Sequence, residues 1–366
     1  MAESSDIYRD GRVQKEAASL VSFGYDVTVL GFRSNVGAKR KFPFKLITLP
    51  VISRKWRTLR NISILLNVGL LNLRVLFTRA DIYHAHNTMF LFSMFFASRI
   101  YRGKFIYDCH EVQFEAGRLQ AWLEKIFIKK ADVIINVSNG RADYQAKQYN
   151  VSREKIIVIR NYPDLSDLVI QNKKNQSSKI RLVFSGGFNL NDNKLDKFLE
   201  MLVGISDIKF DLIAFGYGCS DEMLKQKIKT LGLENQVQFL PLVPFNELIP
   251  TLTSYDLAVD MLTNPENSLS KRYPAINKTY EYFAAGLPII CSDMKAFKEE
   301  IEGEKAGISV NPNQIEEGRK KIVKLISDKT GLNTMKQTAR TLSKEMYNWK
   351  TESNKLQTIY SKLIKS

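Results

Sequence analysis

The sequence predicts an α/β protein with two domains, each built around a parallel sheet. Short apolar strands alternate with helical patterns in two successive series, and this alternation is typical of parallel sheets covered by helices. The chain has 366 residues, 44% of them hydrophobic, which is enough for two sizeable cores. A polar, lysine-rich stretch, residues 164–179, separates the two series and is predicted to be a linker.

In the first series, the helical pattern of residues 13–25 contains Gly24 near its end, a typical helix stop, and an apolar strand at residues 27–30 follows it. The strand at residues 82–84 leads into a nearly continuous apolar helix at residues 89–101. Three further strands are predicted at residues 105–107, 133–137 and 155–159.

The second series again alternates strands with turns and helical patterns. Two of its strands end in glycine turns, RLVFSGGF at residues 181–188 and FDLIAFGYG at residues 210–218. The C-terminal run at residues 347–364 has the apolar periodicity of an amphipathic helix. Three more strands are predicted within residues 237–244, 256–262 and 287–293.

The net charge of +16 is concentrated in the first half of the chain. Residues 1–165 hold 26 Lys+Arg and 14 Asp+Glu, a net of +12, whereas residues 166–366 hold 28 and 24, a net of +4. A basic domain predicts an anionic partner: a membrane surface, a lipid-linked phosphate or nucleic acid. RNA-recognition, zinc-finger and basic-zipper motifs are absent, so no nucleic acid is expected.

The most basic stretch comprises residues 54–79. Its apolar part is too short to span a bilayer and is interrupted by Asn67, Asn72 and Arg74, which excludes a transmembrane helix. Two alternatives remain for this stretch. It forms either an interfacial helix with Trp56 at the level of the lipid headgroups, or a core-packed helix with basic ends.

Cysteine usage and the first residues bear on the cellular compartment. Three cysteines, Cys109, Cys219 and Cys291, show no paired spacing, so neither a disulfide framework nor a zinc site is indicated. The first residues, MAESSDIYRDGR, are polar and do not fit a signal peptide. A cytoplasmic protein is therefore expected, with peripheral attachment at the inner face of the membrane through its basic half.

Residues 277–290, NKTYEYFAAGLPII, are the most informative stretch of the chain. Asn277 and Lys278 begin a helical pattern, where free backbone N–H groups and the positive end of the helix dipole suit a phosphate. Glu281, one turn later, can accept hydrogen bonds from a sugar diol. Gly286 ends the helix before a buried strand. Together these residues predict a seat for a nucleotide diphosphate and its ribose.

This stretch resembles the donor-site motif of retaining, metal-independent GT-B glycosyltransferases of family 4, the glycosyl transferases group 1. The resemblance implies an α/β GT-B fold with two Rossmann-like domains facing a central cleft. It assigns residues 1–165 to an acceptor-side domain, residues 166–340 to a nucleotide-sugar-binding domain, and residues 341–366 to a helix that crosses back to the first domain. It also implies that Glu281 holds the ribose hydroxyls and that Lys278 lies near the diphosphate. The matching residues are Asn277, Lys278, Glu281, Tyr282, Ala285, Gly286, Leu287 and Pro288.

Two predicted strand ends in the first half carry polar side chains. His84 and His86 lie two residues apart and so face the same side of a strand, which could suit a metal, but no third ligand is evident and no metal is expected. The resemblance places His86 close to the transferred sugar, as a catalytic residue together with Glu281. The acceptor-side candidates at the next strand end are Asp108, His110 and Glu111.

Further donor-binding residues are expected in the second half. The glycine turn at Gly186 and Gly187 lets the backbone approach a phosphate closely. In the family, an Arg and a Lys follow this turn and neutralise the diphosphate; here Lys194 is the candidate lysine, and the Arg has no clear counterpart. The resemblance also implies that Leu242 and Val243 flank the nucleotide base through backbone contacts.

Two departures from the family pattern bear on the donor sugar and on the fold. The first acid of the family's Glu-x7-Glu motif falls on Tyr273, so it is absent, which leaves open which sugar hydroxyls are read. In the family, an apolar first strand precedes the segment that resembles residues 5–17, whereas only MAES precedes it here. We therefore expect either a first sheet with one strand fewer or a start that lies further upstream.

The sequence thus predicts a glycosyltransferase that moves a sugar from a nucleotide-sugar donor to a glycan or lipid-linked acceptor. The resemblance implies retention of configuration, independence of metal and a role in cell-envelope polysaccharide synthesis. No cofactor is expected besides the nucleotide-sugar itself. The alternatives are a nucleotide-sugar epimerase of the same fold, a degenerate non-catalytic partner and a basic nucleic-acid-binding protein.

Overall fold

The computed structural model describes residues 1–8, 10–34, 41–51, 57–109, 117–166, 179–188, 190, 193–214, 221–241, 243–263 and 277–365. By its contacts the chain divides into two compact units. The first contains Met1–Asn161 and Glu352–Ser366, and the second contains Tyr162–Thr351. Most of the stretch predicted as a linker, residues 164–179, lies outside the described residues.

The first unit is built on a seven-stranded parallel sheet with the order β3-β2-β1-β4-β5-β6-β7. The C-terminal helix (Trp349–Lys365) belongs to this unit from Glu352 onward. The strands are β1 (Ala2–Asp6), β2 (Thr28–Ser34), β3 (Lys45–Val51), β4 (Ile82–Ala85), β5 (Lys104–Cys109), β6 (Val133–Asn136) and β7 (Ile156–Val158). The other helices are α1 (Gly11–Ser22), α2 (Arg57–Leu76), α3 (Leu91–Ile100), α4 (Arg118–Phe127) and α5 (Asn139–Tyr149).

The polar residues AESSD at the start of the chain form β1, an interior strand that stands third in the order of this sheet. The strand pairs in parallel with β2 on one side and with β4 on the other. Leu30 N donates to Met1 O at 2.9 Å, and His86 N donates to Ala2 O at 3.0 Å. The expectation of a missing strand is therefore wrong. Pairing on both sides depends on backbone hydrogen bonds, and these need no apolar run that a sequence pattern would reveal.

The two faces of the first sheet differ in chemistry. On one face, Tyr83, Phe105 and Tyr107 join a hydrophobic cluster with side chains of α2, α3 and α4. Successive strand residues point to opposite faces, so His84 and Asp108 lie on the other face. There they contact α1 and the C-terminal helix. Polar groups at the end of β4 and β5 are thus buried beneath two helices.

The second unit holds a six-stranded parallel sheet with the order β10-β9-β8-β11-β12-β13. Its strands are β8 (Ile180–Gly186), β9 (Ile208–Ala214), β10 (Val237–Leu240), β11 (Leu257–Asp260), β12 (Ile289–Ser292) and β13 (Gly307–Val310). Its helices are α6 (Leu195–Leu202), α7 (Asp221–Thr230), α8 (Phe245–Leu252), α9 (Asn277–Ala284), α10 (Lys295–Phe297), α11 (Ile315–Ser327) and α12 (Lys329–Glu345).

Apolar side chains cover both faces of the second sheet, as is typical of parallel sheets. Leu182 and Phe184 of β8 join one hydrophobic cluster, whereas Val183 between them joins the other. Helix α9 packs in the second cluster through Tyr282, and the turn that follows it contains Gly286, whose φ of +74° strains any residue with a side chain. Two parallel sheets with alternating helices confirm the predicted α/β class.

In both sheets the strand order reverses next to the first strand of the series. Strand β1 lies beside β4, and β8 lies beside β11, so the chain winds in opposite directions on the two sides of each pair. In doubly wound sheets, ligands bind beyond the carboxyl ends of the strands at such a reversal. The fold therefore predicts one functional site at the ends of β1 and β4 and another at the ends of β8 and β11.

Helix α2 carries apolar side chains on two faces: one packs in the core, as in the second alternative drawn from the sequence, while binding of the other face to a membrane stays a prediction. Its inner side chains, buried in the core of the first unit, are Val68, Leu71 and Val75. Its outer face continues to Phe77 as an apolar stripe, 51–78% exposed, formed by Ile62, Leu65, Leu66, Leu70, Leu73 and Phe77. Arg54, Lys55 and Trp56, which precede the helix, lie outside the described residues. In the described part of the chain, no helix is both long and apolar enough to cross a membrane.

Candidate functional site

The end of β8 and the first turn of α9 meet at the reversal in the second sheet. Gly186, the last residue of β8, has a φ of +149°, and a Cβ at this position would lie 3.1 Å from Lys278 Nζ. Glycine therefore leaves room for the lysine. Gly187 follows, and its carbonyl accepts a hydrogen bond from Asn193 Nδ2 at 3.2 Å. The structure thus places Gly186 beside Lys278, and their shared role in binding a diphosphate stays a prediction.

Two neighbours fix the ammonium group of Lys278. Its Nζ lies 4.4 Å from the centroid of the Phe184 ring, which is a cation–π distance. It also lies 3.8 Å from Oδ1 of Asp260, the last residue of β11. The lysine side chain stays 28% exposed. The ammonium group is therefore held in place and still accessible to a ligand.

Tyr282 holds helix α9 on the sheet. Its hydroxyl accepts a hydrogen bond from Ser185 N at 2.9 Å and donates one to Val259 O at 3.4 Å. Burial raises the pKa of Tyr282, so the phenol stays neutral. Asn277 is exposed at the first position of this helix, and Glu281 is partly exposed one turn later. Both predicted donor residues are accessible on a helix whose position is fixed.

The remaining donor candidates fall at different places. Lys194 N donates to Met261 O at 2.8 Å, which ties the residue before α6 to the residue after β11. Val243 lies just before α8 and packs against the second hydrophobic cluster of this unit. Leu242 and Tyr273 lie outside the described residues. The structure thus brings Lys194 to the same edge of the sheet as Lys278, while the role of residues 242–243 stays a prediction.

Sequence reasoning missed two buried polar side chains at this edge. Asp260 is 2% exposed and Asn193 is 6% exposed. In each, Oδ1 has no hydrogen-bond partner among the described residues. Burial raises the pKa of Asp260, and the charge of Lys278 opposes that rise. The sequence did contain a signal for Asp260. It is an aspartate in the apolar run LAVDML, and such buried strands normally carry no charged residue.

In the first unit, both histidines belong to a buried cluster at the reversal between β1 and β4. The Arg12 cluster, in which every member is at most 5% exposed, consists of Arg12, Glu16, His84, His86 and Asp108. The two imidazole rings stack with their centroids 4.2 Å apart. Oδ2 of Asp108 lies 3.4 Å from Nδ1 of His86 and 3.8 Å from Nε2 of His84.

Arg12 supplies the positive charge of the Arg12 cluster. Its Nη2 lies 3.0 Å from Asp108 Oδ2, and its Nε lies 3.0 Å from Glu16 Oε1. Its Nη1 donates to Ile159 O at 2.8 Å. Burial alone lowers the pKa of the guanidinium, but the two carboxylates raise it above its ordinary value. A buried cation and two buried carboxylates stabilise one another only as a complete set.

The Arg12 cluster also contains the residue types of a metal site. The expectation that the histidines lack a third ligand is wrong, because Glu16 and Asp108 complete a group whose four ligand atoms lie within 4.8 Å of one another. The guanidinium, however, lies 3.0 Å from an oxygen of each carboxylate. A divalent ion here would sit beside a buried cation. The donor set therefore fits an ion-pair network better than a metal.

The predicted catalytic histidine lies inside this network. His86 is only 2% exposed, and β1 fixes its backbone through the bond to Ala2 O. Asp108, one of the acceptor-side candidates, is fully buried and bound to the guanidinium. His110 and Glu111 lie outside the described residues. The structure thus joins His86 and Asp108 to each other, and their roles toward a sugar stay predictions.

Two family models match the chain, and their ranges follow its two units. Residues 12–167 match the model described as Glycosyltransferase Family 4, and residues 179–328 match Glycosyl transferases group 1. Among curated proteins, the O-antigen chain mannosyltransferase RfbU of Salmonella typhimurium is 28% identical over 197 residues, which are 52% of this chain and 50% of that protein. The chain thus spans about half the length of this relative.

Solved structures share the fold over nearly the whole chain. A glycosyltransferase from Rickettsia africae has a TM-score of 0.74 at 16% identity, covering 100% of this chain and 98% of that one. HepE of Anabaena in complex with UDP has a TM-score of 0.74 at 16% identity, covering 99% and 98%. HepE with UDP-glucose has a TM-score of 0.70 at 18% identity, with the same coverage. At these identities the likeness shows the GT-B fold alone.

We predict that Arg12→Ala strongly destabilises the first unit, because it leaves two buried carboxylates without their cation. Removing one partner of a buried ion pair typically costs about 3–5 kcal/mol in the free energy of unfolding. Lys295→Ala is the control, since its pair with Glu299 is 90% and 64% exposed and contributes little. Chemical denaturation monitored by circular dichroism measures both effects. Similar small losses in the two variants contradict a structural role for Arg12.

Proposed function

We propose that this chain, which belongs to the GT-B glycosyltransferases of group 1, transfers a sugar from a nucleotide-diphosphate donor to a glycan or lipid-linked acceptor. The observation that carries the proposal is the position of Lys278 at the reversal of the second sheet. It lies beside Gly186 and in the first turn of the helix that carries Glu281. A sheet edge, a helix N-terminus and an ammonium group together suit a diphosphate.

In this proposal the second unit binds the donor. Lys278, the N–H groups at the start of α9, the backbone near Gly187 and the side chain of Lys194 stabilise the charge that develops on the leaving diphosphate. Fixed donors of this kind lower the barrier, because they need no reorganisation during the reaction. Glu281 accepts hydrogen bonds from the ribose hydroxyls, and the backbone of residues 242–243 flanks the base.

The first unit supplies the acceptor side in the same proposal. His86 acts near the transferred sugar, with Asp108, His110 and Glu111 as groups that receive the acceptor. The bond from the sugar C1 to the diphosphate oxygen breaks, and the acceptor oxygen bonds to C1 on the same face, so configuration is retained. An oxygen of the departing phosphate takes the acceptor's proton. No step is assigned to a metal, because the two lysines provide the positive charge that a divalent ion would otherwise supply.

Relatives support the classes of donor and product. HepE is seen with UDP and with UDP-glucose, and RfbU is an O-antigen chain mannosyltransferase. We therefore propose a nucleoside diphosphate hexose as the donor. The proposed product is a polysaccharide of the cell envelope.

We further propose that the first unit binds the anionic inner face of a membrane. The apolar stripe on α2 is accompanied by further exposed apolar side chains on α3 and α4, 41–63% exposed, namely Phe92, Phe96, Ile100, Leu119 and Trp122. Extensive exposed apolar surface marks an interaction site. The surplus of 12 positive charges in residues 1–165 favours an anionic lipid surface as the partner.

We predict that a screen of nucleotide-sugars by thermal shift and nucleotide release identifies a donor, and that Glu281→Ala weakens its binding. The charged hydrogen bonds of this carboxylate together contribute roughly 1.5–3 kcal/mol, so the dissociation constant should rise about 10- to 100-fold. Glu299→Ala, at a carboxylate that is 64% exposed in the same unit, is the control. Unchanged affinity in Glu281→Ala removes that residue from the site. Binding of no nucleotide-sugar, or transfer that EDTA abolishes and manganese restores, contradicts the proposal.

We predict that His86→Ala lowers the rate of sugar transfer by at least about tenfold while nucleotide affinity persists. His84→Ala is the matched control, because it removes a ring from the same stack without removing the residue assigned to the sugar. Unfolding of both variants is measured in parallel, since both rings are buried. An intact rate with reduced stability in His86→Ala means that this histidine only packs.

We predict that the protein co-sediments with anionic vesicles and less with neutral ones, and that added salt releases it. Changing Arg54, Lys55, Arg57 and Arg60 together to Ser should release most of it, because each basic residue at such a surface contributes about 1 kcal/mol. Leu66→Asn with Leu73→Asn should also weaken binding, while the control Met223→Asn, at a side chain that is 64% exposed in the second unit, should not. Equal binding to neutral and anionic vesicles contradicts the proposal.

A further inference from the structure

The carboxylate of Asp260 is buried where the second sheet reverses. It ends β11, which pairs with β8 on one side and β12 on the other. Burial raises the pKa of this carboxyl group, while Lys278 and the backbone of Leu262 lower it. Its Oδ1 accepts no hydrogen bond from the described residues and lies 3.8 Å from Lys278 Nζ. This carboxylate is therefore only partly satisfied, and it faces the exposed lysine of the proposed donor site.

Among the described residues, the titratable groups that act on Asp260 come from two neighbouring elements. Helix α9 contributes Lys278 and Tyr282, and β12 contributes Cys291, which pairs with Asp260 in register. Burial raises the pKa values of the tyrosine and the cysteine, so both groups are neutral at physiological pH. Burial also raises the pKa of Asp260, and Lys278 opposes this. Among these groups, the ammonium group of Lys278 is the one that offsets the negative charge of Asp260.

That same ammonium group is the one that the proposed function gives to the diphosphate. Its position is already set by the Phe184 ring, at 4.4 Å, and by the backbone of Gly186. A bound diphosphate therefore shares Lys278 with a buried negative charge. Like charges in a buried site disfavour joint ionisation, and the weaker acid takes a proton. A diester diphosphate is a strong acid, so the proton goes to the carboxylate.

We propose that Asp260 takes up one proton from solvent when the diphosphate of the donor binds at Lys278, and that Asp260 thereby sets the pH dependence of donor affinity. The proposal rests on the donor site proposed above. The O–H bond forms on the Asp260 carboxylate, the buffer loses the proton, and Lys278 keeps its charge for the diphosphate. Asp260 is thus an affinity-determining residue that does not itself touch the reacting atoms.

The sign of the pH dependence follows from linkage. At low pH, Asp260 is already protonated in the empty protein, so affinity is highest and no proton is taken up. Above the pH at which the empty protein loses this proton, affinity falls by at most about tenfold per pH unit. The fall ends once Asp260 stays ionised in the bound state as well.

The test is isothermal titration calorimetry of UDP-glucose and GDP-mannose between about pH 5.5 and pH 8.5, a range in which a diester diphosphate does not titrate. At each pH, two buffers with different ionisation enthalpies give the number of protons taken up. For the wild-type protein we expect an uptake that approaches one proton, and an affinity that falls as pH rises. Asp260→Asn should take up no proton and should bind about tenfold tighter than wild type at the upper end of the range.

A matched control lies on the same segment of chain. Asp256, just before β11, pairs with Lys336 at 2.7 Å at the opposite end of the strand. Asp256→Asn should keep the proton uptake and the pH profile of the wild-type protein. Thermal unfolding of both variants checks that they fold. If Asp260→Asn does not fold, the proton uptake measured for the wild-type protein still tests the proposal by itself.

The outcomes separate this inference from the function on which it rests. Binding without proton uptake in the wild-type protein overturns the role of Asp260 and leaves the donor site standing. Weaker binding of Asp260→Asn at every pH also overturns it, because the carboxylate would then only position Lys278. If neither nucleotide-sugar binds the wild-type protein, and UDP and GDP do not bind either, the proposed donor site and this inference both fail.

Discussion

The reversal of strand order in each parallel sheet determines where this protein can place polar chemistry. Parallel strands all end at the same edge, and the chain leaves that edge in opposite directions on the two sides of β1/β4 and of β8/β11. In the first unit, this position holds His86, fixed through the backbone of β1. In the second, it holds Lys278, for which Gly186 leaves room. In the described part of each unit, the same topological constraint thus builds a candidate site.

The two sites handle buried charge in different ways. In the Arg12 cluster, the guanidinium contacts two carboxylates and a backbone carbonyl, and two stacked imidazoles fill the remaining space. Such a network is costly to break and fixes the relative positions of α1, β4 and β5. In the second unit, the Asp260 carboxylate faces one lysine at 3.8 Å, and that lysine is partly exposed. The first arrangement pairs its charges within a buried set, whereas the second leaves its lysine accessible, which is why we propose that it responds to a bound anion.

The sequence patterns predicted helix α9 but did not predict strand β1, and the reasons are physical. Helix α9 carries a recognisable string, and the turn just after it needs the positive φ of Gly286, so local chemistry and the observed helix agree. Strand β1 consists of AESSD, and its place in the sheet comes from backbone pairing with β2 and β4. A periodicity search cannot detect such a strand, because its side chains carry no apolar signal. The surrounding sheet overrides a weak local preference.

The sequence by itself determined the α/β class, most strands of the two series, with β1, β3 and β13 as the exceptions, and the contiguous string that resembles the family's donor motif. These follow from local periodicity and from a contiguous string, and neither depends on distant contacts. Only the tertiary structure brought Glu16 of α1 to His84 of β4 and to His86 just after it, and Asp260 of β11 to Lys278 of α9. These partners lie far apart along the chain. The physical reason is that burial and pairing of charge depend on which strand ends become neighbours, and the order of strands in a sheet is fixed only when the whole sheet forms.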